Sequence, residues 1–309
     1  MPKTNQLKRT APIADSRGDI IFNRVGTVVI LLGCLVVLYP LYFIVIAAIS
    51  DPMRVLSGEV ILYPRDVTLA GFRRILKYRP LWTGYLNSAY YSIVGGVLST
   101  VFTLFAAYPL SRNDFSGRKV FTIFLLITMF FQGGLIPQYI LVNAMGLRNT
   151  YLVLLLVSGI HVMNLFIASS YFRSTNVSEL FEASQVDGCT HFGYFFRILM
   201  PISTPIVIVM LLFYGVWQWN DFFRALIYLD KQQYFPIQLV LKELLASSQV
   251  TGALFEMLSA DPDAYAEMLK AAESMKYGII IAATIPMLLL YLFLQKYFIK
   301  GITMGSVKG

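Results

Sequence analysis

Charge is what this sequence has least of. Only 14% of its 309 residues are ionised side chains, where a water-soluble domain carries about 25%. Histidine and cysteine number two each. Cys34 lies in an apolar run and Cys189 in a polar one, which leaves neither a disulfide framework nor a metal-ligand spacing. The phosphate-cradling pattern G-x-x-x-x-G-K-[ST] is missing, so no ATP site of that kind belongs to this chain. Basic stripes interleaved with polar surface are missing too. The net charge of +8 therefore reads as basic loops and gives no reason to expect a nucleic-acid partner.

What the chain does have is long apolar runs. Hydrophobic residues make up 57% of it, and six windows are long enough to cross a hydrocarbon core of about 30 Å as helices. Their expected limits are Val25 to Ile49, Thr83 to Leu110, Val120 to Val142, Tyr151 to Tyr171, Ile202 to Phe222 and Tyr277 to Leu294. The first run exceeds the core of about 7 to 15 residues found in a signal peptide and reads as a retained span behind a polar, basic segment, residues 1–24. Pro40, Pro109, Pro286 and the group Gly133, Gly134, Pro137 mark expected interruptions of spans. The reading is an all-α membrane protein.

An even number of spans puts both termini on one side. Placing them inside gives 13 Lys and Arg to the inner segments and 12 to the outer ones, nearly a tie. The basic N-terminus and the short loop with Arg112, Arg118 and Lys119 favour a cytoplasmic position for both ends.

Between the fourth and fifth spans, within residues 172–201, runs NVSELFEASQVDGCTHFGYFFRILMP, from Asn176 to Pro201. Asn176 can cap a short helix with Glu179 three positions on, and Glu179 and Glu182 suit its positive end. Leu180, Ala183 and Val186 share one face at helical spacing. Gly188 permits the left-handed corner that ends a helix, and Thr190 can cap a second helix running to Pro201. A helix, a glycine corner and another helix make a stiff elbow; an interfacial amphipathic loop would satisfy the same propensities.

At these residues a resemblance becomes specific. Glu182, Ala183, Ser184, Asp187 and Gly188, followed by Ile198 to Pro201, resemble the EAA motif of ABC-importer permeases, with Ser184 in place of the second alanine and Met200 before the proline. Gly134 to Thr150, Trp217 to Phe222 and Gln295 to Gly309 resemble permeases of the carbohydrate-uptake group that includes the maltose importer's smaller permease. The tail and the long segment before the sixth span resemble the subgroup associated with complex polysaccharides and their oligosaccharides, such as the alginate importer. The resemblance implies six transmembrane helices of the ABC-importer permease type with a cytoplasmic coupling-helix elbow, in the bacterial inner membrane. Residues 25–299 would form the permease domain and residues 300–309 a cytoplasmic tail. It further implies a second, homologous permease in a heterodimer, two copies of a cytoplasmic ATPase that carry ATP and Mg, an external solute-binding protein and an oligosaccharide substrate. Lys296 and Lys300 in the tail suit anionic lipid heads as well as an ATPase.

Sugars are held by aromatic faces and hydroxyl-matching polar side chains. Tyr214, Trp217, Gln218 and Asp221 share a helical face, from which Trp219 and Asn220 turn away. Asn87, Gln132 and Gln138 are further pathway candidates, although the aromatic cluster equally fits a membrane-interface belt. The segment 223–276 is expected outside, with short helices at Leu239 to Ala246 and Tyr265 to Met275 and a turn at Asp261 and Pro262. Two other classes compete: an ion-coupled carrier using His161 and Asp221, and a membrane-embedded enzyme. Against both stands the shortage of intramembrane charge and of clustered His, Cys or carboxylates.

Overall fold

A computed structural model describes residues 16–131, 133–157, 159–174, 177–246, 270, 273–289 and 291–292. Gln132, Asn176, the turn at Asp261 and Pro262, most of the helix expected over Tyr265 to Met275, the end of the sixth span and the tail from Gln295 lie outside the described residues, as does the side chain of Glu179. Among the described residues every regular element is helical and none is a strand.

The described residues up to Thr68 form one unit. Its helix Arg17–Ala48 starts eight residues before the expected apolar limit. A capping box explains the difference: Asp19 N–H donates to Ser16 Oγ at 3.2 Å while Ser16 N–H donates to Asp19 Oδ2 at 3.0 Å. Its 32 residues span about 48 Å at helical rise, more than a hydrocarbon core requires. The apolar side chains of its membrane-length stretch are exposed, which suits lipid rather than water. Pro40 sits inside this helix without ending it. The helix leads into a polar loop, where Ser50 Oγ accepts from Arg65 N–H at 3.2 Å and Arg54 bridges Glu59 at 2.8 Å and Asp66 at 2.9 Å.

The second unit begins at Leu69. A short amphipathic helix, Ala70–Lys77, precedes the 33-residue helix Arg79–Ser111, which carries a π turn at Tyr91–Gly95. The third expected span is two helices, Arg118–Phe130 and Leu135–Ala144, bent by 107°. Gly134, with φ +84°, supplies the conformation that a side chain would resist. The fourth is interrupted as well. Tyr151–Leu156 and Val162–Ser174 are separate helices, with Gly159 at φ +43° between them. Before the fifth, His191–Ile202 meets Thr204–Asn220 at 83° around Ser203; Pro205 enters the first turn of the latter, where its missing N–H costs nothing. Residues 237–246 and 273–289 are helical, the first enclosing the expected Leu239 to Ala246. By length and composition two described helices can span a bilayer alone, and two more if each bent pair is one span.

Among the described residues three apolar clusters hold this unit. The first joins Leu104, Ala107, Ala168, Phe172, Phe181, Tyr194, Leu199 and Met210. A second gathers Tyr91, Val153, Leu154, Tyr228 and Leu239, and a third Ile75, Leu81, Trp219, Ile237 and Ile279. Helices in lipid gain little from burying apolar surface against one another, so small residues that let backbones approach matter more. A Cβ on Gly96 would stand 3.4 Å from the Cα of Gly215, which places the crossing of Arg79–Ser111 and Thr204–Asn220 on a glycine pair.

Candidate functional site

The elbow is built as its residues dictate. Helix Val177–Val186 ends in a Schellman turn: Gly188 has φ +76°, its N–H donates to Gln185 O at 3.0 Å, and Cys189 N–H donates to Ser184 O at 2.9 Å. Two residues on, Thr190 Oγ1 accepts from Gly193 N–H at 3.2 Å and starts the next helix. Phe181 and Ser184 face inward, and Ser184 Oγ donates to Phe181 O at 2.7 Å. Leu180, Ala183 and Val186 face outward, Val186 being 89% exposed. Glu182, Asp187, Gly188 and Pro201 are exposed too. The apolar face read from the spacing is therefore left open by this chain's own packing.

What holds the inner face was not visible in the motif. Arg112, the residue after helix Arg79–Ser111, lays its guanidinium 3.7 Å from the centre of the Phe181 ring. Phe181 also stacks on His191 at 4.9 Å and meets Tyr194 edge-on at 5.1 Å. Arg112 is oriented by a fork to Asp114, at 2.8 Å from Nε and 2.5 Å from Nη2. That guanidinium holds the Asp114 carboxyl below the usual carboxylate range. Arg173 ties the same helix end to Val162–Ser174 by donating to Leu110 O at 2.9 Å. An open cavity of about 390 Å³, lined in part by Phe105, Arg112, Asp114 and His191, borders the contact.

The aromatic and polar cluster near the end of Thr204–Asn220 is more enclosed than its spacing implies. Tyr214 is 0% exposed; its hydroxyl shares a 2.6 Å hydrogen bond with Thr103 Oγ1 and accepts from His161 N–H at 3.1 Å. Gln218 is buried, donating to Leu154 O at 3.2 Å and accepting from Arg224 Nη2 at 2.9 Å. Asp221 pairs with Arg224 at 2.5 Å, both side chains nearly enclosed. Arg224 in turn lies 4.0 Å over the Trp217 ring, whose edge meets His161 at 4.5 Å. Trp219 packs the other way, against Tyr85, and Asn220 is exposed, as the helical spacing requires. Asp221, which an ion-coupled carrier would use together with His161, is ion-paired with Arg224.

The outlying candidates separate. Asn87 is buried and donates to the carbonyls of Gln233 and Phe235, each at 2.9 Å, so it fastens the segment after the fifth span. Gln138 is exposed on Leu135–Ala144, beside an open hollow around the 107° bend, and is not brought near Trp217 by any contact found. Arg224 and Arg112 are the residues that spacing missed, since each acts through a partner distant along the chain or through its neighbours' side chains.

No family model matches the sequence. Among curated proteins, the polygalacturonan/rhamnogalacturonan transport system permease protein YtcP of Bacillus subtilis is 34% identical, covering 91% of this chain and 96% of the relative. Protein LplC of the same organism is 32% identical over 89% of this chain and 90% of the relative. The maltodextrin transport system permease protein MalD of Streptococcus pneumoniae is 27% identical over 89% and 91%. Among solved structures, a chain of a bacterial ABC transporter involved in the import of the acidic polysaccharide alginate superposes with a TM-score of 0.81 at 29% identity, covering 93% of this chain and 100% of that one. With that identity sustained across nearly its whole length, the chain belongs to the family of sugar ABC transporter permeases.

Proposed function

We propose that this chain is one of two permease subunits of an ATP-driven oligosaccharide importer, crossing the inner membrane six times with both termini in the cytoplasm. ATP is hydrolysed by two copies of a separate subunit, and an external solute-binding protein delivers the sugar to the outer segments, residues 223–276 among them. Residues 172–201 form the coupling loop. One observation carries the reading: a rigid helix, glycine corner and helix whose inner face is packed while Leu180, Ala183 and Val186 stay open beside the acidic Glu182 and Asp187. An apolar stripe rimmed by charge on a stiff projection is a surface for a protein partner.

The test is purification with the neighbouring subunits. An ATPase is expected to co-isolate with the wild-type chain and to be lost on Gly188→Pro or Asp187→Lys. ATP-independent uptake by this chain alone would sink the proposal. For the substrate, we read an acidic oligosaccharide. Its support is that alginate is an acidic polysaccharide and polygalacturonan a polymer of a uronic acid. Competition between neutral and uronate oligosaccharides in a transport assay decides it, and competition by the neutral sugars alone overturns it. Within the cluster, Trp217 is half-buried and is the aromatic residue best placed to meet a sugar, whereas the buried Tyr214 and Gln218 shape the wall behind it.

A further inference from the structure

We propose that Arg112 is a positioning residue of the coupling machinery: seated on the Phe181 ring, it ties the ATPase-facing helix Val177–Val186 to the end of helix Arg79–Ser111. The inference rests on the coupling role given to the elbow above. It adds the element that receives the push.

Three observations converge on it. First, the contact is face-on and close, at 3.7 Å, while the arginine side chain is only 15% exposed; a guanidinium against an aromatic face gains most where water is excluded. Second, its Asp114 partner is 61% exposed, so that ion pair is screened and serves to aim the guanidinium rather than to hold the loop. Third, the Phe181 ring is 3% exposed, held between the guanidinium, the stacked His191 and the edge of Tyr194, so that Arg112 ties this packed ring to the end of helix Arg79–Ser111 by a charged contact.

The helix that Arg112 terminates is placed to carry movement onward. It crosses Thr204–Asn220 at Gly96 and Gly215, its Thr103 bonds Tyr214, and its far end holds the carbonyls of residues 233 and 235 through Asn87. A single rigid rod thus meets the elbow at one end and the segment after the fifth span at the other. A shift of Phe181 moves Arg112 with it, because the planar guanidinium is seated over the ring at 3.7 Å and aimed there by its carboxylate fork.

The experiment uses the complete importer, co-expressed with its partner subunits and reconstituted in vesicles, with oligogalacturonate as the transported sugar. Sugar imported and ATP hydrolysed are measured together. Arg112→Ala and Phe181→Leu are each expected to lower the sugar moved per ATP by about tenfold, with co-isolation of the ATPase held near wild type and, for Arg112→Ala, the melting temperature as well. The double variant is expected to be no worse than either single one, since both remove the same contact. Arg112→Lys, which keeps charge but loses the plane, is expected to recover only part of the ratio. An unchanged ratio in Arg112→Ala, multiplying losses in the double variant, or full recovery by lysine overturns the proposal. Should Arg112→Ala fail to assemble, Phe181→Leu and Arg112→Lys decide it by the same ratio. Failure of the wild-type chain to capture an ATPase is a separate outcome, which removes the proposed function and this inference with it.

Discussion

At the scale of single residues, the enclosed pair of Asp221 and Arg224 is the costliest to disturb. Their side chains are 11% and 13% exposed, and Arg224 also bonds Gln218 and covers Trp217. Removing one partner of such a pair leaves the other charge buried alone, at a cost of about 3–5 kcal/mol. Asp221→Asn is therefore expected to lower the melting temperature of the purified chain markedly, and an apolar replacement of both residues to recover part of the loss. A denaturation midpoint for Asp221→Asn equal to wild type would show that the pair is not holding the 221–228 segment. Tyr214→Phe removes an acceptor from His161 N–H and a partner from Thr103, and about 1–3 kcal/mol should go with them.

Elements show how far spacing can be trusted. The corner at Gly188 and the cap at Thr190 were legible because both are local: a glycine that tolerates positive φ and a threonine three residues before a free N–H. Helix breaks were less so. The break of the third span beside Gly134 falls where the group Gly133, Gly134 and Pro137 placed it, but Pro40 and Pro109 sit within continuous helices, and the fourth span parts beside Gly159, which no expected interruption marked. A proline near a helix end, or one whose lost hydrogen bond is absorbed by its surroundings, leaves the axis intact. Periodicity also gives a face and not a depth: the spacing groups Tyr214 with Trp217, Gln218 and Asp221, and only the fold shows that Tyr214 and Gln218 are buried. The bridge from Arg112 to Phe181 spans chain segments that no local pattern connects.

Another element-scale link fastens the loop 145–150 to the residues after Phe223–Tyr228. Asn149, at φ +57°, accepts from Asp230 N–H at 2.6 Å and donates to its Oδ2 at 2.9 Å, and Arg148 reaches the same oxygen at 2.7 Å. The Asn149 amide, with the Arg148 guanidinium second, holds the Asp230 carboxyl below its ordinary range. A carboxyl depressed in the folded state contributes above its unfolded value, near pH 4, and that contribution is lost as pH falls through the lower, folded value. Protection of the amides of residues 148–150 and 229–231, their exchange measured relative to the intrinsic rate at each pH, is accordingly expected to be constant above about pH 5 and to fall in acid. Asn149→Ala should remove that acid dependence and speed exchange at every pH; an unchanged profile would show that the loops are held by something else.

For the whole molecule, the proposal of six spans with inward termini is checked by chemistry at the loops. After replacement of Cys34 and Cys189 by serine, Lys231→Cys is expected to react with a membrane-impermeant maleimide in intact spheroplasts. Asp114→Cys should react only after permeabilisation. The reverse pattern would turn the protein over in the membrane and place the elbow where no ATPase could reach it.

The π turn at Tyr91–Gly95 gives that arrangement a clockwork aspect. Each π turn holds one residue more than an α-helical turn, and a single residue is worth about 100° of rotation. Asn87 and Ser88 above it and Thr103, Tyr108 and Arg112 below it can therefore be aimed independently, as two hands set on one spindle. Deleting one residue there would make a more regular helix and a worse permease, with the lower hand wound by over a quarter of a turn from the ring it should meet.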